Sequence, residues 1–314
     1  MRFEIHEFLP LTRPKASLRR LRELLRASQF VVLDLEDSAQ DLFNEEHTLA
    51  LKAAARRGLL YIARHLAPLA PTDRIHVRIN PIGSRRHDAD IEALAEWTAM
   101  GLPLNVMLPK ISTPAAAASF RARIFHACGT EPVIIPLLES PEALRNAEAV
   151  IHECRAETGR VQFGYFDYAL EAGIWPFAET DSQAFWSLIQ EAARKIEATG
   201  ALYLHTPPPY LTDRNKLQRI KSMLLATRPG GFGLGSLSRE QTEALSARVD
   251  AAPIRLQPEA ASPREARSHA RRIVDQFQSA QRRKRSFAIM DDRFVPPHEY
   301  LAAKAYLESC GEAP

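Results

Sequence analysis

Residues 132–141, Pro-Val-Ile-Ile-Pro-Leu-Leu-Glu-Ser-Pro, hold a strand, an acid and the start of a helix with no loop between them. The apolar run 132–138 reads as a buried strand, and Glu139 stands at its C-terminal end. Ser140 followed by Pro141 is the arrangement of an N-cap with proline in the first helical turn. Thr113 and Pro114 repeat it. Working outward, short apolar or β-branched runs recur near 3–9, 30–35, 75–80, 104–109, 132–138, 160–164, 201–205 and 231–235. Between them the stretches 14–28, 45–66, 88–100, 114–127, 141–157, 181–199 and 211–226 space their apolar residues three and four apart, as outer helices do. Alternating strands and helices in that number predict the α/β class and a closed (β/α)8 TIM barrel over residues 1–250. Residues 251–314 read as a C-terminal linker and helical lid: proline-rich coil, a polar helix over 263–282, the segment Met290-Asp291-Asp292, and a last helix.

The composition fits that plan and narrows the function. A chain of 314 residues is the size of one barrel with a modest appendage. With 46% hydrophobic and 25% charged residues it is ordinary for a globular protein. No apolar run reaches the roughly 18 residues of a membrane helix, and the first residues lack the apolar core of a signal peptide, so a cytoplasmic protein without a membrane partner is expected. Cys128, Cys154 and Cys310 are widely spaced and form no CxxC pair, which points to neither a disulfide framework nor a zinc site. The net charge is only +3, and the cationic run Gln281-Arg-Arg-Lys-Arg285 has no interleaved aromatics. It reads as a solvated helix end, and no nucleic-acid partner is expected.

Active sites of such barrels lie at the C-terminal ends of the strands. Charged and small residues collect there: Asp34, Glu36 and Asp37 after strand two, Arg78 and Asn80 after strand three, Lys110 after strand four, Glu139 after strand five, and Gly164 and Asp167 after strand six. Unpaired buried ions each cost several kcal/mol, so these groups must compensate one another. Glu139 and Asp167 offer the hard oxygen ligands that Mg2+ takes while it keeps substrate oxygens and waters in its other positions. Arg78 can form a bidentate pair with a substrate carboxylate, or an internal ion pair with Asp34. His205, at the mouth of strand seven, is a candidate acid or base against the alternative of a hydrogen-bonded structural residue. Gly230–Gly235 reads as a backbone cradle for phosphate or as a flexible strand-to-helix turn.

The motifs Val32-Leu-Asp34-Leu-Glu36-Asp37-Ser38, Lys52-Ala-Ala-Ala-Arg56, Val77-Arg78-Ile-Asn80, Met107-Leu-Pro109-Lys110, Pro136-Leu-Leu-Glu139-Ser140 and Phe163-Gly164-Tyr-Phe-Asp167 resemble the citrate lyase β-subunit and malyl-CoA lyase family of the HpcH/HpaI aldolase superfamily. The resemblance is close over about residues 3–175. It implies a Mg2+-dependent carbon–carbon lyase acting on a malyl-, citramalyl- or citryl-type thioester, carried by CoA or an acyl-carrier protein. It further implies Glu139 and Asp167 as metal ligands, Arg78 as the clamp on the substrate, and Glu36 and Asp37 as acids holding metal-bound water. Lys110 and Gly164 would contact the substrate. Asp292, on the lid, would act as general acid or base in a neighbouring subunit of a homo-oligomer, a trimer or hexamer.

The chain departs from the family after strand eight, where Gly231-Phe-Gly-Leu-Gly-Ser236 replaces a Gly-Lys and a later Ile-His-Pro, and after strand seven, where His205-Thr-Pro-Pro-Pro-Tyr210 shows no acid. Two other readings therefore stay open. One is a CoA-independent pyruvate aldolase, which would usually have a histidine after strand two. The other is a catalytically altered barrel that binds an acidic metabolite or a partner protein.

Overall fold

The structure, a computed structural model, describes residues 2–66, 73–156, 159–228, 230–252, 256, 262–283, 288–290 and 293–312. Asp291 and Asp292 of the lid segment lie outside the described residues, as do Lys284 and Arg285 of the cationic run.

Eight parallel strands close into one barrel in chain order: β1 Arg2–Pro10, β2 Phe30–Asp34, β3 Ile75–Arg78, β4 Asn105–Leu108, β5 Val133–Leu138, β6 Arg160–Phe163, β7 Leu202–His205 and β8 Gly231–Ser236. Closure is made by β1 and β8, which pair from Arg2 opposite Gly231 to Glu7 opposite Ser236. Parallel strands covered by helices are buried on both faces, which is why they read as continuous apolar runs.

The helices follow with the expected caps: α1 Pro14–Arg26, α2 Glu45–Leu66, α3 His87–Ala99 and α4 Pro114–Cys128. The Thr113 side chain accepts the N–H of Ala116, and Ser140 that of Ala143. The single helix expected over 141–157 is instead two, α5 Pro141–Arg145 and α6 Ala147–Glu153. Asn146 breaks it, because its amide donates to Ser112 O at 2.9 Å, a competition for backbone groups that keeps asparagine out of helix interiors. A short helix the spacing did not reveal, α7 Tyr165–Glu171, follows β6 directly. Then come α8 Gln183–Glu197, α9 Arg214–Thr227 and a further unforeseen helix, α10 Arg239–Ser246.

Inside the barrel the side chains stack in levels. At the N-terminal mouth Arg160 grips Glu4 with bonds of 2.6 and 3.0 Å, and Arg2 adds a third at 2.6 Å. The Phe30 ring contacts the Arg160 guanidinium at 4.3 Å and stacks on His6 at 4.6 Å. Above them Phe8, Val32, Met107, Ile135, Leu137 and Leu204 form an apolar plug. The stretch expected as the eighth strand, 231–235, is β8, and its glycines serve packing. A Cβ on Gly233 would meet Leu204 Cδ2 at 2.1 Å, and one on Gly235 would meet Pro207 Cγ at 2.6 Å, so glycine is what lets these neighbours close in.

Beyond the barrel, α11 Pro263–Arg282 begins with a capping box between Ser262 and Glu265, and α12 Pro297–Ser309 packs against it. Between them a two-stranded ribbon pairs β9 Ala288–Met290 with β10 Arg293–Val295. This tail has its own apolar cluster, built from Ile273, Val274, Phe277, Val295, Ala303 and Leu307 among others. It is fastened to the barrel by Trp175, whose indole N–H donates to Ala266 O at 3.1 Å, and by the packing of α12 on α7. No helix of the described residues is long and apolar enough to cross a membrane.

Candidate active site

The acids and cations nominated from the strand ends do meet at the C-terminal mouth. Asp34, the last residue of β2, is fully used: its carboxylate accepts the N–H groups of Glu36 and Ser38 at 2.9 and 3.0 Å, and the Arg78 Nε and Nη2 at 2.8 Å each. Burial would raise the Asp34 pKa, and the Arg78 charge with these donors outweighs it and lowers it. The planar fork of Arg78 is therefore spent inside the protein. Its Nη1 reaches Glu36 Oε2 at 3.0 Å and Asp37 Oδ2 at 2.9 Å. The bidentate clamp expected on a substrate through that fork is replaced by the internal pair, and Nη1 is the guanidinium edge left facing the acids.

The loop carrying Glu36 and Asp37 is pinned from below. Lys52, buried on α2, donates its ammonium to the carbonyls of Leu35 and Glu36, and Asn80 Nδ2 reaches Leu35 O at 3.1 Å. Burial lowers the Lys52 pKa against the pull of Asp34 and Glu36. Lys52 was visible as part of a motif, but its structural work was not.

Glu139 lies one residue past β5 and accepts the Lys110 N–H at 3.0 Å through Oε2. Lys110 makes this bond from the left-handed backbone region, φ 54°, a conformation non-glycine residues adopt at a cost and mostly where surroundings enforce it. Its ammonium meanwhile reaches Asp167 Oδ1 at 3.1 Å. Gly164, between β6 and α7, leaves the room that Glu139 occupies: a Cβ there would stand 2.5 Å from Glu139 Cγ. Asp167 comes in on the first turn of α7.

The electrostatics are lopsided. Burial first, then Asp167 and Glu36, push the Glu139 carboxyl well above its ordinary value. Burial and Asp37 likewise raise Glu36 to about 8. Asp167 is lowered, since His298 and then Lys110 outweigh its burial. Among the described residues no three His, Cys, Asp or Glu side chains form a ready cage for a metal. What the mouth offers is a pair of carboxyl groups beside a third acid, with burial, Asp167 and Glu36 all opposing ionisation of Glu139. That donor set fits Mg2+, which is bound through one or two carboxylates with substrate oxygens and water completing its shell.

His298 was not read from the sequence. It opens α12 and places Nε2 3.1 Å from Asp167 Oδ1, with a side chain only 13% exposed. Burial opposes its protonation, and Asp167 with Asp37 overcomes that and raises its pKa. His205, by contrast, takes no part. Strand alternation turns it outward, where it stacks on Trp186 and meets Tyr203 Oη at 2.9 Å through Nδ1. Burial drives its pKa down to about 3, and its contacts to Trp186 and Tyr203 are those of a structural histidine.

Residues 19–202 match the family model described as HpcH/HpaI aldolase/citrate lyase. No curated protein matches the chain. Among solved structures, CitE of Mycobacterium tuberculosis in complex with magnesium, acetoacetate and coenzyme A is 23% identical with a TM-score of 0.59, covering 99% of this chain and 99% of that one. The citrate lyase beta subunit of M. tuberculosis complexed with oxaloacetate and magnesium is 24% identical, TM-score 0.56, covering 78% of this chain and 95% of that one. RipC from Yersinia pestis is 20% identical, TM-score 0.55, covering 77% and 93%. At these identities the likeness establishes the fold.

Proposed function

The chain belongs to the HpcH/HpaI aldolase/citrate lyase family, a family of carbon–carbon lyases, and on that premise we propose that it is a Mg2+-dependent lyase of the citrate lyase β-subunit type, cleaving or forming a malyl-, citramalyl- or citryl-type thioester. The observation that carries the reading is the meeting of Glu139 and Asp167 at one barrel mouth, with Glu139 held well above its ordinary pKa by burial, Asp167 and Glu36. Glu139 and Asp167 are the residues that would hold the cation. When bound, Mg2+ supplies Lewis-acid polarisation of a substrate carbonyl.

The remaining roles follow from position. Arg78 takes the substrate carboxylate end-on through Nη1, because Asp34 holds Nε and Nη2 rigid. Lys110, with its ammonium 3.1 Å from Asp167, brings positive charge to where oxygen charge develops. Gly164 admits Glu139 and leaves space beside it. Glu36, raised to about 8, can hold a proton at neutral pH and pass it on. Asp37, at the rim on Arg78 Nη1, orients water. Asp292 keeps the role of a lid-borne acid or base in this reading, and a cytoplasmic homo-oligomer, trimeric or hexameric, is the proposed setting. The magnesium, coenzyme A and oxo-acid complexes of the M. tuberculosis proteins support the substrate class. The test is a panel of malyl-, citramalyl- and citryl-CoA with the matching free acids, read by free thiol and 2-oxo acid, with and without Mg2+. Metal-dependent release from one of the thioesters is expected, and its abolition in Glu139→Gln. No release from any compound, or release indifferent to chelation, overturns the reading.

A further inference from the structure

We infer that His298, carried in by the last helix of the same chain, is a positioning residue for Asp167 that ties down one carboxylate oxygen and leaves the other to face a divalent cation. The inference rests on the metal reading above and deepens it. Two donors converge on Asp167, and the nearest approaches of His298 Nε2 and Lys110 Nζ are both to Oδ1, each at 3.1 Å. Of the two, Lys110 ends a flexible stem whose side chain is 46% exposed, whereas the imidazole is stiff and buried. A rigid donor fixes a carboxylate plane better than a mobile one, because less freedom is lost each time the contact is made. Partners of this kind govern metal affinity although they do not touch the metal.

The delivery of His298 is built. Pro296 and Pro297 preset the backbone just before it, with Pro297 as the first residue of α12. The next residue, Glu299, is fully buried and held by Arg293 through three bonds of 2.8 to 3.0 Å. Val295 on one side and Ala303 on the other sit in the apolar cluster of the tail. The start of α12 is thus anchored on both sides of the imidazole, against α7, the helix that carries Asp167. Among the described residues the His298 Nδ1 is buried without a hydrogen-bond partner, a group that costs stability, so the ring's placement is explained by what Nε2 does.

The experiment uses Mn2+ as the probe on the full chain, with binding followed by electron paramagnetic resonance and by calorimetry, and with thermal unfolding of the metal-free proteins. His298→Gln keeps an amide N–H near the place of Nε2; His298→Leu keeps bulk without a donor. The leucine variant is expected to raise the Kd for Mn2+ by roughly 10–100-fold, and the glutamine variant by no more than about threefold. Metal-free melting of the leucine variant should match or exceed wild type, which separates positioning from a structural role. Wild-type Mn2+ affinity in His298→Leu, or equal weakening in both variants, overturns the inference and leaves the metal reading standing. Absence of Mn2+ binding by the wild-type protein overturns both.

Discussion

Replacing Gly164 by alanine tests the acid site with a single methyl group. The new Cβ would stand 2.5 Å from Glu139 Cγ, 2.7 Å from Oε1 and 3.0 Å from Cδ, well inside the roughly 3.5–4.0 Å at which carbon atoms rest. The backbone has no objection: φ −100° and ψ 92° lie in the extended region alanine adopts freely. Stiffening the unfolded chain returns about 0.4–1 kcal/mol. Against this, Glu139 must leave its rotamer, costing about 0.5–1.5 kcal/mol. It must also loosen its bond from the Lys110 N–H, worth roughly 1–3 kcal/mol according to its charge. The fold should therefore lose about 1–3 kcal/mol and survive. Metal binding should suffer as well, because a ligand turned away from Asp167 no longer shares a cation with it, and a loss of about 10–100-fold in Mg2+ affinity is expected. Calorimetric titration with Mg2+ beside metal-free melting curves reads both quantities. A folded Gly164→Ala protein with wild-type Mg2+ affinity refutes the reasoning, since it would show that the direction of Glu139 does not matter.

Glu36 and Glu139 both have raised pKa values, so their ionisation opposes folding; that stability is present below the ordinary value of 4.5 and is lost as pH rises through about 8 for Glu36. His298, also raised, acts in the same direction. Below about pH 6.5 the buried neutral His6, His76 and His205 oppose this trend. Metal-free protein should thus melt at lower temperature as pH rises from about 6.5 to about 8, with a shallower slope in Glu139→Gln, and a flat profile in the wild type would contradict the assignment. Arg78→Lys cannot span both oxygens of Asp34 and should cost about 2–4 kcal/mol of stability together with activity, checked by denaturant unfolding and steady-state kinetics; unchanged unfolding would mean the pair is not formed. His205→Phe keeps the stack on Trp186 and orphans the Tyr203 hydroxyl, so about 1 kcal/mol of stability goes while turnover stays at wild type. Lost turnover in that folded variant would return His205 to the site.

The barrel was legible because each of its strands is buried on both faces, and a strand so placed writes a continuous apolar run. Strand eight was located correctly. Its glycines also suggested a phosphate cradle or a flexible turn, whereas the close approach of Leu204 and Pro207 is what demands them. α7 left no periodic signal because seven residues make under two full turns. At the site, Asp34, Glu36, Arg78, Glu139 and Asp167 could be gathered by one rule, that charge after a buried strand sits at the mouth. His205 broke that rule for a reason the sequence contained: in β7 the inward side belongs to Leu204, so its neighbour must face the helices. His298 was beyond reach, since its place depends on how the tail packs against α7, and nothing local in Pro296-Pro297-His298 foretells that contact.

The filled N-terminal mouth of the barrel governs traffic. With Glu4, Arg160 and Phe30 closing one end and a plug from Phe8 to Leu204 above them, molecules have a single doorway. Substrate and products alike would then pass through the C-terminal mouth. Any fragment held beside Glu139 would share that doorway with α12, whose His298 stands 3.1 Å from Asp167.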